Sequence, residues 1–310
     1  MEQAMVIKHY LELDADRWEK TKRDLLPLVR LINNFGGEYS LQLREGYFNI
    51  YYQGNSLARV TPNKNGTYTA SIHKKFAQHE TLKKLERYSV NKPSQSARSK
   101  GKHVSFSIRP QNLHQFFRWS NINSLSSRIR AVHNGEEITF EQVLITDNPP
   151  SDKLIIIDRQ VADHTSRAQI DLLALERDSV DKPFHFLVIE EKLGRNSDLK
   201  GKVRIQLNSF IDRVKKHVDA YADCYEKNYR QKKQLGLFDP FSDKLPDEIE
   251  IDRNENTVEG LIVVGGYSQF AEKVLRENLC PKIKKNRSHI KVQRIRNEIR
   301  LGNESYCEEP

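Results

Sequence analysis

Asp171, Glu190 and Lys192 are charged residues whose types and spacing suit joint chemistry. Asp171 lies inside the apolar run Gln169–Leu175, and Glu190 and Lys192 follow a second apolar run that begins at Phe184. Both runs are short and rich in branched or aromatic side chains, so both are predicted to be buried strands, and their polar connection predicts a hairpin. Because side chains alternate along a strand, Glu190 and Lys192 share one face, and we expect Asp171 opposite them.

Two carboxylates and one ammonium in one place are costly inside a sheet unless the group binds something. Carboxylate oxygens suit Mg²⁺, and Mn²⁺ can substitute. Lys192 could position or deprotonate a water, or offset charge on a phosphate. The alternative is a surface hairpin with a Glu–Lys cross-strand pair. Against it, Leu187–Ile189 is continuously apolar up to the charges, whereas edge hairpins of antiparallel sheets usually alternate.

This motif resembles that of the PD-(D/E)xK nuclease superfamily, which includes restriction enzymes, RecB-type nucleases and junction resolvases. The matching residues are Asp171 and, 19 positions later, Glu190 followed by Lys192. Gln206 stands where RecB-like members carry a glutamine on the helix after the lysine strand. Ile170 replaces the proline of the family's name, which many members lack. The resemblance covers roughly residues 124–296.

The resemblance implies a Mg²⁺-dependent nuclease that hydrolyses phosphodiester bonds, more specifically a DNA endonuclease in a prokaryotic defence, restriction or repair setting. It implies that Asp171 and Glu190 hold the metal, that Lys192 orients or activates water and stabilises phosphate charge, and that Gln206 positions water or the helix end. A helix before the first core strand often carries a further glutamate near the metal in this family, and Glu141 is the candidate. Many relatives dimerise, so a homodimer or a larger complex is an open expectation.

The predicted elements follow the order of that family's core. We expect helices, three strands, a long helix and a further strand. The helices and the last strand are predicted at Ser124–Ala131, Thr139–Leu144, Asn196 to about Lys233, and Val258–Gly266. The predicted fold class is α/β of the α+β type, with a restriction-endonuclease-like αβββαβ core and a mixed central sheet. This nuclease-like domain is predicted over residues 111–302, with a frayed tail at 303–310.

Residues 1–76 are predicted to form a small α+β N-terminal domain with an accessory role. A helix over Arg17–Asn34 precedes four strand-like segments, which turn residues separate into an antiparallel meander. These segments are Tyr39–Leu43, Tyr47–Tyr52, Leu57–Thr61 and Tyr68–His73. The aromatic cluster of residues 47–52 favours packing of a small sheet, with base stacking as the alternative.

Positive charge is concentrated in two blocks of a chain whose net charge is +9. Lys74–Arg130 carries 13 Lys and Arg against two Glu, and Lys282–Arg300 carries eight against one. Such segregation beside a nuclease-like motif favours a nucleic-acid partner, which the resemblance implies is DNA, although solvated charge runs are the alternative. Residues 77–110, in which Val90–His103 is rich in Ser and Lys, are predicted to be a basic linker. The candidate nucleic-acid contacts are Arg98, Lys100, Lys102, Lys284, Lys285 and Arg287.

Composition excludes several classes of protein. Of the 310 residues, 37% are hydrophobic and 30% charged, as in soluble proteins with a large solvated surface. The sequence lacks both an apolar run of membrane-spanning length and a signal-peptide pattern, so we expect no membrane partner and a cytoplasmic location. Three cysteines without CxxC spacing indicate neither disulfides nor a zinc site. Two rival functions stay open: a nuclease fold that binds nucleic acid without cutting it, and a protein-interaction subunit of a larger complex.

Overall fold

The computed structural model describes residues 7–90, 102–132, 135–162, 169–266, 269–285 and 289–295. Two five-stranded sheets with helices packed on them organise this part of the chain, which confirms the predicted α+β class. Among the described helices, none combines the length and the apolar composition that crossing a bilayer requires. The more specific restriction-endonuclease-like core stays a prediction.

The first sheet is an antiparallel meander with the strand order β1-β2-β3-β4-β5. Its strands are β1 (Tyr39–Arg44), β2 (Tyr47–Tyr52), β3 (Asn55–Pro62), β4 (Tyr68–His73) and β5 (His103–Ile108). The first four strands confirm the predicted segments, because turn residues and alternating apolar residues mark them locally. Gly46 and Gly54 take positive φ at the two turns that flank β2, where a side chain would be strained.

Helices cover one face of the first sheet. They are α1 (Ala15–Asn34), α2 (His79–Glu86), α3 (Pro110–Phe116) and α4 (Trp119–Val132). The predicted first helix begins after Asp14, whose carboxylate accepts a hydrogen bond of 2.8 Å from the backbone N–H of Arg17. Apolar residues of α1, α3 and α4 join those of all five strands in one hydrophobic core. The opposite face of the sheet therefore lies outside this core.

The aromatic cluster of β2 is divided between the two faces of the sheet. Phe48 and Tyr52 are fully buried in the core beneath the helices, in agreement with the packing interpretation. Tyr47 and Tyr51 point to the other face, as the alternation of a strand requires. Tyr51 is buried there and Tyr47 is half-buried. This second face carries polar side chains and meets the second sheet.

The basic linker predicted over 77–110 is folded at both of its ends. It contains α2 and β5, and β5 pairs with β4 along its whole length. Val104, Phe106 and Ile108 recur at every second position and are buried, a strand pattern that the surrounding Ser and Lys obscured. Helices α3 and α4, which were predicted to belong to the nuclease-like domain, also pack into the first core. Residues 91–101 lie outside the described residues.

The second sheet has the order β10-β9-β8-β7-β6 and is mixed. Its strands are β6 (Leu154–Ala162), β7 (Gln169–Glu176), β8 (His185–Leu193), β9 (Glu259–Gly265) and β10 (Ile290–Arg294). Strands β6, β7 and β8 pair antiparallel as predicted, whereas β9 pairs parallel with β8 and β10 parallel with β9. A parallel neighbour requires a crossover connection, which helices between β8 and β9 supply.

Helices lie on both faces of the second sheet. They are α5 (Glu136–Asp147), α6 (Lys202–Lys216), α7 (Val218–Gln234), α8 (Gln269–Val274) and α9 (Cys280–Lys285). Helices α6 and α7 pack into the larger core on one face, and α5 packs on the other. The single long helix predicted to end near Lys233 is instead a 3-10 turn over Ser197–Lys200 followed by α6 and α7. The two helices break at His217, whose φ of −128° is not helical.

The two sheets meet at β6 through a buried polar junction. Asp158 is fully buried and accepts hydrogen bonds from the Arg44 guanidinium at 2.5 Å, the His9 imidazole at 2.8 Å and the Tyr225 hydroxyl at 3.0 Å. Burial alone would raise the pKa of Asp158, but Arg44 and His9 outweigh burial and hold that pKa below its ordinary value. Removing one of these partners while the junction stays closed would leave a buried charge unpaired.

Candidate active site

The candidate site lies where β7 and β8 separate. Their ladder ends at the pair Leu172–Ile189. Beyond that pair, the Asp171 carboxylate turns into the opening and accepts a hydrogen bond of 3.1 Å from the backbone N–H of Glu191. The Asp171 carboxylate therefore takes the place of the backbone carbonyl that would accept the next hydrogen bond between β7 and β8. This replacement brings the acidic group of β7 beside the end of β8.

Lys192 joins the predicted residues into one cluster. Its Nζ donates to Glu190 Oε1 at 2.7 Å, to the backbone oxygen of Glu191 at 2.6 Å and to Asp171 Oδ2 at 3.3 Å. Glu190 and Lys192 are buried, and the Asp171 side chain is about one quarter exposed, at 26%. The structure thus brings Asp171, Glu190 and Lys192 together, with Asp171 as the member most open to solvent.

The charges of this cluster shift the proton affinities of its members. Burial raises the pKa of Glu190 to about 8, and the nearby charge of Asp171 adds to the rise. Burial alone would lower the pKa of Lys192, but the charges of Asp171 and Glu190 outweigh it, so that pKa lies above its ordinary value. The Lys192 ammonium consequently keeps its proton at neutral pH. It acts as a hydrogen-bond donor and a positive charge.

Glu191 lies on the other face of β8, as strand alternation requires. Its side chain is buried, and burial together with the charges of Glu141 and Asp171 raises its pKa to about 10. Oε2 of Glu190 and Oε2 of Glu191 are both buried, and neither has a hydrogen-bond partner among the residues that the structure describes. A buried carboxylate oxygen without a partner is costly unless it is protonated or meets a cation. On the Lys192 face, Asp171 together with the orphaned Oε2 of Glu190 therefore fits a hard divalent cation, whereas Glu191, on the other face, is accounted for by a proton.

Glu141, the predicted third carboxylate of the metal site, is engaged by an arginine. It lies on α5, and its Oε1 accepts a hydrogen bond of 2.6 Å from Nε of Arg159, a fully buried residue of β6. Arg159 also donates to Gln142 Oε1 at 2.6 Å. Burial raises the pKa of Glu141, and Arg159 opposes that rise. Among the residues that the structure describes, Glu141 is thus a partner of Arg159 and makes no hydrogen bond to Asp171, Glu190 or Lys192.

The other predicted site residues, Gln206 and the candidate nucleic-acid contacts, do not join the cluster around Lys192 in the described part of the chain. Gln206 is half-buried on α6 and, among the described residues, makes no hydrogen bond to Asp171, Glu190 or Lys192. Lys102 precedes β5 and Lys284 lies on α9, and both are exposed. The side chain of Lys285 and the whole of Arg98, Lys100 and Arg287 fall outside the described residues.

Arg159 and Gln160 of β6 are residues beside the site that the motif did not indicate. The available signal was an Asp-Arg pair inside the apolar run that begins at Leu154, since buried charges require partners. Gln160 falls opposite Asp171, between the registered pairs Arg159–Leu172 and Val161–Ile170. Its φ of +48° is unusual for a residue with a side chain and redirects β6 at this position.

A second group of possible metal ligands lies at the opposite end of the β7–β8 hairpin. Within the described part of the chain, Glu176, His185 and Glu259 bring three ligand atoms within 4.8 Å of one another. His185 Nε2 lies 3.7 Å from Glu176 Oε2, and Lys291 Nζ lies 2.5 Å from Glu259 Oε2. Since Lys291 already neutralises Glu259, this half-exposed group is explained as an ordinary surface charge cluster.

The chain matches no protein-family model, no curated protein and no solved structure. The chemistry open to the site follows from its own residues. Asp171 and Glu190 offer oxygen ligands, and Lys192 offers a fixed donor and a positive charge at the same place. This set suits reactions at a negatively charged centre, such as hydrolysis of a phosphate ester.

Proposed function

We propose that this protein is a metal-dependent nuclease that hydrolyses phosphodiester bonds of nucleic acid. The observation that carries the proposal is the Lys192 ammonium held between the carboxyl groups of Asp171 and Glu190, with Oε2 of Glu190 buried and without a hydrogen-bond partner among the described residues. A site that only stabilised the fold would gain more from an apolar pair, because buried ion pairs seldom repay their desolvation. Perturbed, clustered charges are instead typical of catalytic sites.

Asp171 and Glu190 are the residues that would hold Mg²⁺ or Mn²⁺. When bound, such an ion polarises a phosphoryl oxygen and lowers the pKa of a coordinated water. Asp171 is the more exposed ligand, so it lies on the side from which a substrate approaches. Lys192 keeps its proton on Nζ and donates it in a hydrogen bond to a water or a phosphate oxygen, where it offsets developing negative charge. This protonation state favours positioning and charge stabilisation by Lys192 over general-base catalysis.

The substrate proposed is DNA, cut internally, within a prokaryotic defence, restriction or repair system, as the motif's resemblance implies. The net charge of +9 and the exposed Lys102 and Lys284 support a polyanionic partner. The restriction-endonuclease-like core belongs to the same proposal. The order α5-β6-β7-β8-α6-α7-β9 and the parallel pairing of β8 with β9 support it.

Circular DNA tests the proposal directly, because a circle has no ends for an exonuclease. Purified protein is incubated with circular duplex and circular single-stranded DNA in Mg²⁺, Mn²⁺ or EDTA. The Lys192→Ala and Asp171→Ala variants are compared with Lys182→Ala, which removes an exposed lysine of the β7–β8 connection. We expect metal-dependent cleavage by the wild type and by Lys182→Ala only.

Two results would contradict the proposal. Metal-dependent cleavage that persists in both site variants would place the chemistry elsewhere. A salt-sensitive complex with DNA, but no cleavage of DNA or RNA under any of the metal conditions, would establish the non-cleaving binding module instead. Circular dichroism of each variant shows that a loss of cleavage is not a loss of fold.

A further inference from the structure

The polar face of the first sheet forms a groove that ends beside the candidate active site. A cavity of about 460 Å³ lies between this face and β6, within the range of about 300–1,000 Å³ typical of ligand sites. A second cavity of about 230 Å³ continues it across the sheet toward Lys75 and His103. Ser56 and Arg59 line both cavities, so the two are parts of one groove.

One end of the groove lies next to the candidate active site. Gln160 and Gln169 line the larger cavity. Gln160 stands opposite Asp171 in the ladder of β6 and β7, and Gln169 precedes Asp171 by two positions on the same strand. A chain that lay in the groove would therefore arrive at the exposed member of the Asp171 cluster.

The lining of the groove suits stacking on a flat ring next to an anion. The Arg59 guanidinium lies 3.7 Å from the centre of the Tyr47 ring. Arg59 is exposed and forms no ion pair with any residue that the structure describes. Its outer face is therefore open to a nucleobase, and its N–H groups to a phosphate. Asn49 and Ser56, which hydrogen-bond each other at 2.9 Å, add polar groups to the groove.

The charge along the groove complements a polyanion. Arg59 lines the larger cavity and Lys75 the smaller one, while Lys8, which also lines the larger cavity, is paired with Glu12 at 2.7 Å. Among the described lining residues of the two cavities, Glu45 is the single carboxylate. Positive charge with aromatic surface is the combination that binds single-stranded nucleic acid. In a duplex the bases are stacked and paired, so their faces are not free for a protein ring.

We propose that this groove binds an unpaired strand of nucleic acid and leads it to Asp171. The inference rests on the proposed nuclease function and specifies its substrate: a single strand, or the unpaired part of a partly duplex molecule. Tyr47 and Arg59 form the stacking platform, and the cations at each end hold the backbone. The first sheet is accordingly a substrate-binding unit fused to the catalytic one.

Binding is measured without cleavage by fluorescence anisotropy in EDTA, using a labelled 12-nucleotide DNA strand, the same RNA strand and the corresponding DNA duplex. Arg59→Ala and Tyr47→Ala are expected to weaken single-strand binding about tenfold, the scale of one lost base–aromatic stack. Tyr47→Phe keeps the ring and should stay within about twofold of the wild type. Arg30→Ala, on the exposed surface of α1 at the opposite side of the sheet, is the matched control.

The possible outcomes distinguish failure of the proposed groove from failure of the proposed nuclease function. Unchanged single-strand affinity in Arg59→Ala and Tyr47→Ala, in a protein that cuts DNA, would overturn the groove and leave the nuclease function standing. Tighter binding of the duplex than of either single strand would overturn the single-strand assignment. Arg59-dependent binding of a strand that the wild type never cuts would support the groove and contradict the nuclease function. Failure to bind any of the three nucleic acids would overturn the groove, and the nuclease function would then be decided by the cleavage of circular DNA.

Discussion

Arg44 of β1 and Asp158 of β6 form an ion pair of 2.5 Å between two buried side chains, 114 positions apart in the chain. Arg44 also donates to the backbone oxygen of Arg159, and Asp158 accepts from His9 and Tyr225. This pair fixes the polar face of the first sheet against the strand that borders Asp171. The position of the proposed groove relative to the site thus depends on it.

Replacing Asp158 with Asn should destabilise the fold and change its response to acid. At neutral pH the free energy of unfolding should fall by about 3 kcal/mol, because Arg44 is left buried without a counter-charge. An unfolded Asp has a pKa of about 3.9, and the folded Asp158 has a lower one. The stabilisation by Asp158 is therefore fully present above the unfolded pKa, begins to decline there, and is lost as pH falls through the folded pKa. Urea unfolding at pH 7, 5, 4 and 3 measures both effects.

In Asp158→Asn the decline in unfolding free energy between about pH 5 and pH 3 should be shallower than in the wild type. Asp178→Asn is the control, because its carboxylate is 79% exposed and should leave the slope unchanged. Equal slopes in the wild type and Asp158→Asn would show that Asp158 does not carry this part of the acid response.

Gly54 should tolerate a side chain far less well than Gly46. Both residues have positive φ, +77° and +69°, so alanine adds strain of about 1 kcal/mol at either position. An added Cβ at Gly54 would overlap Ile138 of α5 and lie 2.8 Å from a guanidinium nitrogen of Arg159, whereas at Gly46 it would meet no atom within 4 Å. We expect Gly54→Ala to cost about 2 kcal/mol more than Gly46→Ala in urea unfolding. Equal costs would mean that the turn at Gly54 does not pack against α5.

Two glutamates of α5, Glu141 and Glu136, allow a buried ion pair to be compared with an exposed one. Glu141→Gln leaves Arg159, which is fully buried, without its carboxylate and should lower the free energy of unfolding by about 3 kcal/mol. Glu136→Gln breaks the pair with Arg195, in which both side chains are more than half exposed, and should cost below about 1 kcal/mol. Chemical denaturation of both variants measures the two losses in unfolding free energy. If both losses were small, the ion pair between Glu141 and Arg159 would not stabilise the fold.

Divalent metal should stabilise the wild type through Asp171 and Glu190. A ligand that binds only the folded state adds about 2.7 kcal/mol at a hundred times its dissociation constant, so Mn²⁺ should raise the melting temperature by several degrees. The rise should disappear in Asp171→Asn and Glu190→Gln. It should persist in Glu176→Gln, which alters the surface group at the other end of the hairpin. The reverse pattern would assign the metal to Glu176, His185 and Glu259.

The sequence by itself determined most of the strands, most of the helices and the meeting of Asp171, Glu190 and Lys192. These features are local: apolar periodicity and turn residues define a strand within a few positions, and a short hairpin brings its two strands together. Alternation then puts Glu190 and Lys192 on one face without reference to the rest of the chain. The α+β class follows from the same local patterns, since each predicted element requires a partner layer.

Only the tertiary structure decided what surrounds that cluster. Strand β5 pairs with β4 although about 30 residues separate the two strands in the sequence. Arg159 donates a hydrogen bond to Glu141, and Asp158 forms an ion pair with Arg44. Each of these contacts depends on how whole elements dock, and a residue's type does not specify which distant partner will satisfy it. The aromatic cluster of β2 shows the difference. Alternation required it to divide between two faces, but the packing of the helices decided which two rings lie in the hydrophobic core and which two face the groove.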